Sequence, residues 1–206
     1  MRTLEVLLSR FARIVLLAAI ALSVIPATAT ASSQHQRETA YLGRMWTTIF
    51  ETPSPQNPFG TGDAATACIQ LDKDAIAPFG PQVVPSCTVK PGTKIVVAAY
   101  SFECSTIEGY GKTYRQLLDC ARRNDATAAT VSVDGRPVSV SAVATGPLFV
   151  VLPADNIFSA AAGTSGISVA HGWVTLVRPL PPGTHIIAFW TTKGSGTTTI
   201  VVTPQR

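Results

Sequence analysis

The chain has 206 residues, 16 of them Lys or Arg against 12 Asp or Glu, with 46% hydrophobic side chains. That length makes one domain with a sizeable core. With the first 31 residues set aside, thirteen basic residues face eleven acidic ones, and so small a surplus excludes nucleic acid as the expected partner, because phosphate binding needs a clustered basic face.

Arg2, Arg10 and Arg13 stand around the start of the apolar run IVLLAAIALSVI (Ile14 to Ile25), which PATATAS follows. This is the three-part layout of a secretory signal, and Ala29 and Ala31 place the expected cleavage before Ser32. Twelve apolar residues are fewer than the roughly 20 that span a bilayer, so no integral membrane anchor is expected after processing. The mature product is expected outside the cell or in the cell envelope. The expected organisation is a signal peptide at 1–31, an N-terminal helix with a Pro/Gly-rich loop at 32–62 packed on the domain, and a β-sandwich domain at 63–206.

From Ser33, SQHQRETAYLGRMWTTIFE opens with a Ser-x-x-Gln capping box. Leu42, Met45, Trp46, Ile49 and Phe50 follow at helical spacing, so this helix has one apolar face to dock. TPSPQNPFGTG cannot continue it and reads as a loop. KIVVAAYSFEC, from Lys94 to Cys104, is apolar on both faces until Ser101, which suits an inner strand. Thr113 and Gln116 mark a second capped helix through Leu117, Leu118 and Ala121. Its Lys112, Arg115, Arg122 and Arg123, interleaved with Asp119 and Asp125, read as a solvated face.

TVSVDGRPVSV, from Thr130 to Val140, alternates on both sides of Asp134-Gly135 and predicts a tight hairpin. LFVVLP is a further strand, and SAAAGTSG has the composition of a flexible tip. GWVTLVRP and THIIAFW are strands on either side of Leu180-Pro-Pro-Gly183, where two prolines forbid a sheet interior. TTTIVVT closes the chain.

Four cysteines, Cys68, Cys87, Cys104 and Cys120, remain in an exported chain and read as two disulfides. Three pairings are open; nearest neighbours would close loops of nineteen and sixteen residues, each stabilising the fold by about 3 kcal/mol. Zinc does not fit intervals that contain no Cys-x-x-Cys. No metal site and no cofactor is expected.

No nucleophile elbow, phosphate loop or metal-ligand spacing is present. His171 and His185 flank the corner, and Glu103 ends an apolar strand beside Cys104, where burial would perturb its carboxyl. Trp173 and Trp190, with Tyr100, Tyr110 and Phe59, are the residues able to form a flat carbohydrate-, cell-wall- or protein-binding surface, in competition with the core for the same side chains. His35 would serve a copper enzyme acting on polysaccharide only if it became the mature N-terminus.

Leu180, Pro182, Gly183, Thr184, His185 and Ile186 resemble the L-x-P-G-T-H-x-I corner of bacterial immunoglobulin-like and fibronectin-like modules. The corner tyrosine that fibronectin-like modules often carry would fall at Ile186. NPFG, CTVKPGTKIVV, FEC, VDG, LP-x-DN, GWV-x-L and PLPPGTHII, in that order, are similar to a group of uncharacterised secreted bacterial proteins. The resemblance implies an antiparallel β-sandwich, immunoglobulin-like or jelly-roll-like, with two accessory helices and two disulfides, and it implies no activity. The expected function is non-catalytic surface or ligand binding; the alternative is an extracellular hydrolase or copper-dependent enzyme of similar fold.

Overall fold

The computed structural model describes residues 27–59, 68–78 and 86–204. Two compact units divide the chain, Met1–Ser33 and Gln34–Arg206, and the account below concerns the second. The expected signal segment lies outside the described residues as far as position 26. Helix α1 runs unbroken from Ala27 to Glu51, so the box expected to open it at Ser33 falls inside it. No helix breaker stands in ATATASS, so the helix runs on through Ser33.

Among the described residues the fold is mainly β, with two sheets, two helices and two disulfides. The strands are β1 (Cys68–Asp72), β2 (Ala75–Pro78), β3 (Ser86–Val89), β4 (Lys94–Ser105), β5 (Ala129–Val133), β6 (Arg136–Val138), β7 (Ser141–Ala144), β8 (Leu148–Val151), β9 (Ser165–Val177), β10 (Gly183–Thr191) and β11 (Gly194–Val202). Helix α2 (Tyr114–Asn124) lies between β4 and β5. One sheet has the order β1-β2-β4-β9-β7, with β8 also on β9; the other has the order β3-β11-β10-β5-β6. Pairing is antiparallel except for β2 with β4 and β3 with β11.

The spine is β4 against β9, ten residue pairs from Ile95↔Val177 to Ser105↔Ser168 with a register shift between Ala98 and Tyr100. That bulge puts Ala99 and Tyr100 on the same side and exchanges the faces beyond it. Before it, Val96 and Ala98 face α1; after it, Ser101 does, and Trp46 Nε1 donates to its hydroxyl over 3.2 Å. At Gly172, opposite Ser101, an added Cβ would stand 2.6 Å from the Ser101 Cβ and 2.9 Å from the Tyr100 carbonyl oxygen. The glycine of HGWV is therefore a spacing requirement of the bulge.

The sheet containing β4 and β9 is a middle layer. On one face Leu42, Met45, Ile49 and Phe50 of α1 pack on Val96, Val143, Ala170 and Val174. On the other, Ile95 and Val97 meet Val131, Ile187, Ile200 and Val202 of the second sheet, and Leu117 and Ala121 of α2 cover Val169. The α2 capping box forms, with the Gln116 N–H donating to Thr113 Oγ1 and the Thr113 N–H to Gln116 Oε1. Asp134 (φ 50°) and Gly135 (φ 76°) make the left-handed hairpin turn between β5 and β6, as Asp-Gly there requires.

Both disulfides join nearest neighbours. Cys68–Cys87 links β1 in the first sheet to β3 in the second, and Cys104–Cys120 ties β4 to α2. Replacing Cys104 and Cys120 together by Ser should lower the unfolding free energy by about 3 kcal/mol, read from urea denaturation. A change below about 0.5 kcal/mol would mean that the small core under α2 holds the helix without the bridge.

Candidate functional site

The fold brings together only some of the residues singled out from the sequence. His171 and Trp173 lie on one face of β9, opposite Phe102 and Tyr100 of β4. Both reach the chain just beyond α2: His171 Nδ1 is hydrogen-bonded to the buried Asp125 carboxylate, and Trp173 Nε1 donates to the Ala126 carbonyl over 2.8 Å. Asp125 is the C-cap residue of α2. The two bonds therefore fix the joint where α2 passes into β5, and the Trp173 ring lies against the core between the sheets. Sequence reasoning missed Asp125 as the partner of His171 because 46 residues separate them.

His185 is buried, at 9% exposure, although it lies beside the two-proline turn. Its Nδ1 lies 2.7 Å from Asp134 Oδ2 and its Nε2 lies 2.9 Å from the Pro181 carbonyl oxygen. Both ring nitrogens face acceptors, so the doubly protonated cation satisfies both. The Asp134 bond, then the Pro181 bond, raise the His185 pKa, and the same bond to His185 holds the Asp134 carboxyl below its usual range. Asp134 Oδ1 also accepts from the Ile186 N–H over 2.9 Å. The histidine of the corner thus rivets the β5–β6 turn to β10.

Glu103 is on the α1-facing side of the middle sheet, only 6% exposed. Ser168 on β9 donates to its Oε1 over 2.6 Å. The Glu108 carboxyl neighbours it, and its Oε2 accepts from Ser105 Oγ over 2.7 Å. Burial, and then the neighbouring Glu108 charge, push the Glu103 pKa up to about 9, so the group is a neutral acid through the physiological range. Glu108 was not anticipated; E-C-S-x-x-E carries it on the turn that follows β4.

Trp190 differs from all of these. It is 53% exposed on the outer face of the second sheet, four residues along β10 from Ile186 at 45%. Its cross-strand neighbours are Ser195 on β11 and Thr130 on β5. Tyr110 and Phe59 are also exposed, on separate loops, and Phe59 stacks on Trp46 with ring centroids 6.0 Å apart.

A groove of about 530 Å³ runs along α1, lined by Thr39, Arg44, Thr47, Leu71, Thr145 and Leu148 among others, and includes none of the residues singled out from the sequence. Among the described residues no group of three or more His, Cys, Asp or Glu could hold a metal ion, and no helix is long and apolar enough to cross a membrane. No family model matches the chain, and no curated protein or solved structure matches it either.

The two raised pKa values act in the same direction. Between the ordinary carboxyl range and about 9 the folded state keeps a Glu103 proton that the unfolded chain has lost, so stability falls as pH rises through that window. The His185–Asp134 bond is likewise fully present below the unfolded imidazole pKa and is lost as pH rises through the folded one. Thermal melting from pH 5 to 9 should show a declining Tm for the wild type. Glu103→Gln, which mimics the neutral acid, should flatten the slope and melt higher than wild type at pH 9; an unchanged slope would place the Glu103 proton elsewhere.

Proposed function

We propose that the chain is an exported bacterial protein that acts by binding through its surface, at the cell envelope or outside the cell, without covalent chemistry. The observation that carries this reading is how the residues divide. His171, His185 and Glu103 are each spent on internal bonds that join elements of the fold, whereas Trp190 stands out from the sheet. The basic and apolar first 31 residues and the two disulfides support export. The tight corner at Leu180–Ile186 supports kinship with bacterial immunoglobulin-like modules.

The hydrolase alternative has one foothold, the Glu103–Glu108 pair. Glu103 is buried and Ser168 already bonds its Oε1, so it presents no exposed carboxyl to a substrate. The copper alternative needs His35 at a chain terminus, and so cleavage after Gln34, a poor residue for signal peptidase beside Ala31.

The expected outcome is retention of the secreted protein, starting at Ser32, on at least one polymer of a cell-wall and extracellular-polysaccharide panel, with no soluble fragments released on prolonged incubation. Release of reducing ends or peptides, abolished by Glu103→Gln, would replace binding by hydrolysis.

A further inference from the structure

The outer face of the β3-β11-β10-β5-β6 sheet has an unusual surface chemistry. Its central rows are Ser195–Trp190–Thr130 and Thr197–Ala188–Ser132, with Ile186 next along β10. Neither row contains a charged side chain. The hydroxyls of Ser195, Thr130, Thr197 and Ser132, and the Trp190 indole N–H, make no hydrogen bond among the described residues. Strands stand about 4.8 Å apart and alternate residues on one strand ~6.8 Å apart, so the free hydroxyls form a regular grid around one exposed indole.

Each property narrows the ligand. A nucleic acid or polyanionic glycan would meet no cation in these rows, and a cationic ligand no anion. A stable protein interface needs a larger apolar centre than Trp190 and Ile186 supply. A sugar ring fits both parts: its C–H face stacks on an aromatic ring, and its hydroxyls both donate and accept, as Ser and Thr do. The indole provides a donor at the edge of the same platform.

We propose that this face binds a neutral polysaccharide, with Trp190 stacked on one sugar and the flanking Thr130 and Ser195 hydroxyls bonding its neighbours along the grid. The assignment rests on the reading of the chain as a surface-binding protein, and gives that reading a location and a ligand class.

The test uses the full secreted protein against insoluble neutral glycans (cellulose, chitin, β-1,3-glucan, mannan), with polygalacturonate and heparin as anionic comparisons and a second set of cell-wall proteins. Depletion onto at least one neutral glycan is expected, insensitive to 0.5 M salt, as an uncharged interface requires ~zero salt slope. Trp190→Ala should weaken it by about tenfold or more, while Phe149→Ala, which removes the exposed ring on β8 of the other sheet, should leave it unchanged. Melting temperature and circular dichroism check that both variants fold. A T130A/S195A double variant, which keeps the indole, should weaken binding several-fold. Neutral-glycan binding that Trp190→Ala leaves intact would overturn the location while leaving a binding protein. Binding confined to the anionic glycans or to the wall proteins would overturn the ligand class. Retention by nothing in the panel would overturn both the ligand class and the underlying reading.

Discussion

The pairing of β4 with β9 is the contact on which the rest is arranged. It is the longest ladder among the described residues, and it supplies both faces of the middle layer: one surface for α1, the other shared by the second sheet and α2. The single bulge at Ala98–Tyr100 decides which side chains go where. Without the exchanged faces, Glu103 would point toward α2 and Cys104 toward α1, and the Cys104–Cys120 bridge would have no partner in reach. The bulge also requires Gly172, and Gly172 in turn fixes where His171 and Trp173 fall. Much of what looks like a cluster of special residues in HGWV is thus the local geometry of one extra residue in a strand.

Three groups of polar side chains inside this protein join elements. Asp125 and His171 close the passage from α2 to β5; Asp134 and His185 close the hairpin against the corner; Glu103, Ser168, Ser105 and Glu108 hold the turn after β4 against β9. In the first two a side chain from a helix end or turn meets one from a strand, and in the third Glu108 on the turn meets Ser105 while Glu103 and Ser168 join two strands. The apolar cores supply the driving force, and these bonds specify which end meets which.

The parts of the fold legible in the sequence were those with local chemistry. The Asp134-Gly135 turn, the Thr113 box, the strand from Lys94 and the apolar stripe of α1 each carry their own signal within a few residues. Nearest-neighbour disulfides were one of three pairings the sequence left open. The start of β9 was illegible, because SAAAGTSG has a loop composition; its last residues join the strand since the turn at Thr106 and Ile107 passes so close that a Cβ at Gly166 would stand 2.5 Å from Thr106 Oγ1. β1 and β2 are short and are held by their neighbours more than by pattern. Of the residues considered for a site, the sequence named the histidines and Glu103 but could not name Asp125, Asp134 or Glu108 as their partners, since those contacts are made by tertiary folding alone. Exposure divided the tryptophans: Trp173 lies one residue beyond Gly172 against the core, and Trp190 sits on the opposite parity of β10 from Ile187.

The place of α1 in the layering has a consequence for biogenesis. The helix is synthesised first, yet the surface that covers its apolar side includes β7, β8 and β9, which leave the ribosome much later. Until then Leu42, Trp46 and Phe50 lack part of their native cover, and long-range pairing of this kind is slow to form and prone to wrong association. The nascent chain must therefore carry its greasiest helix partly unsheltered until β9 is made, so a chaperone that shields that stripe during synthesis would govern yield more than the durability of the finished molecule does.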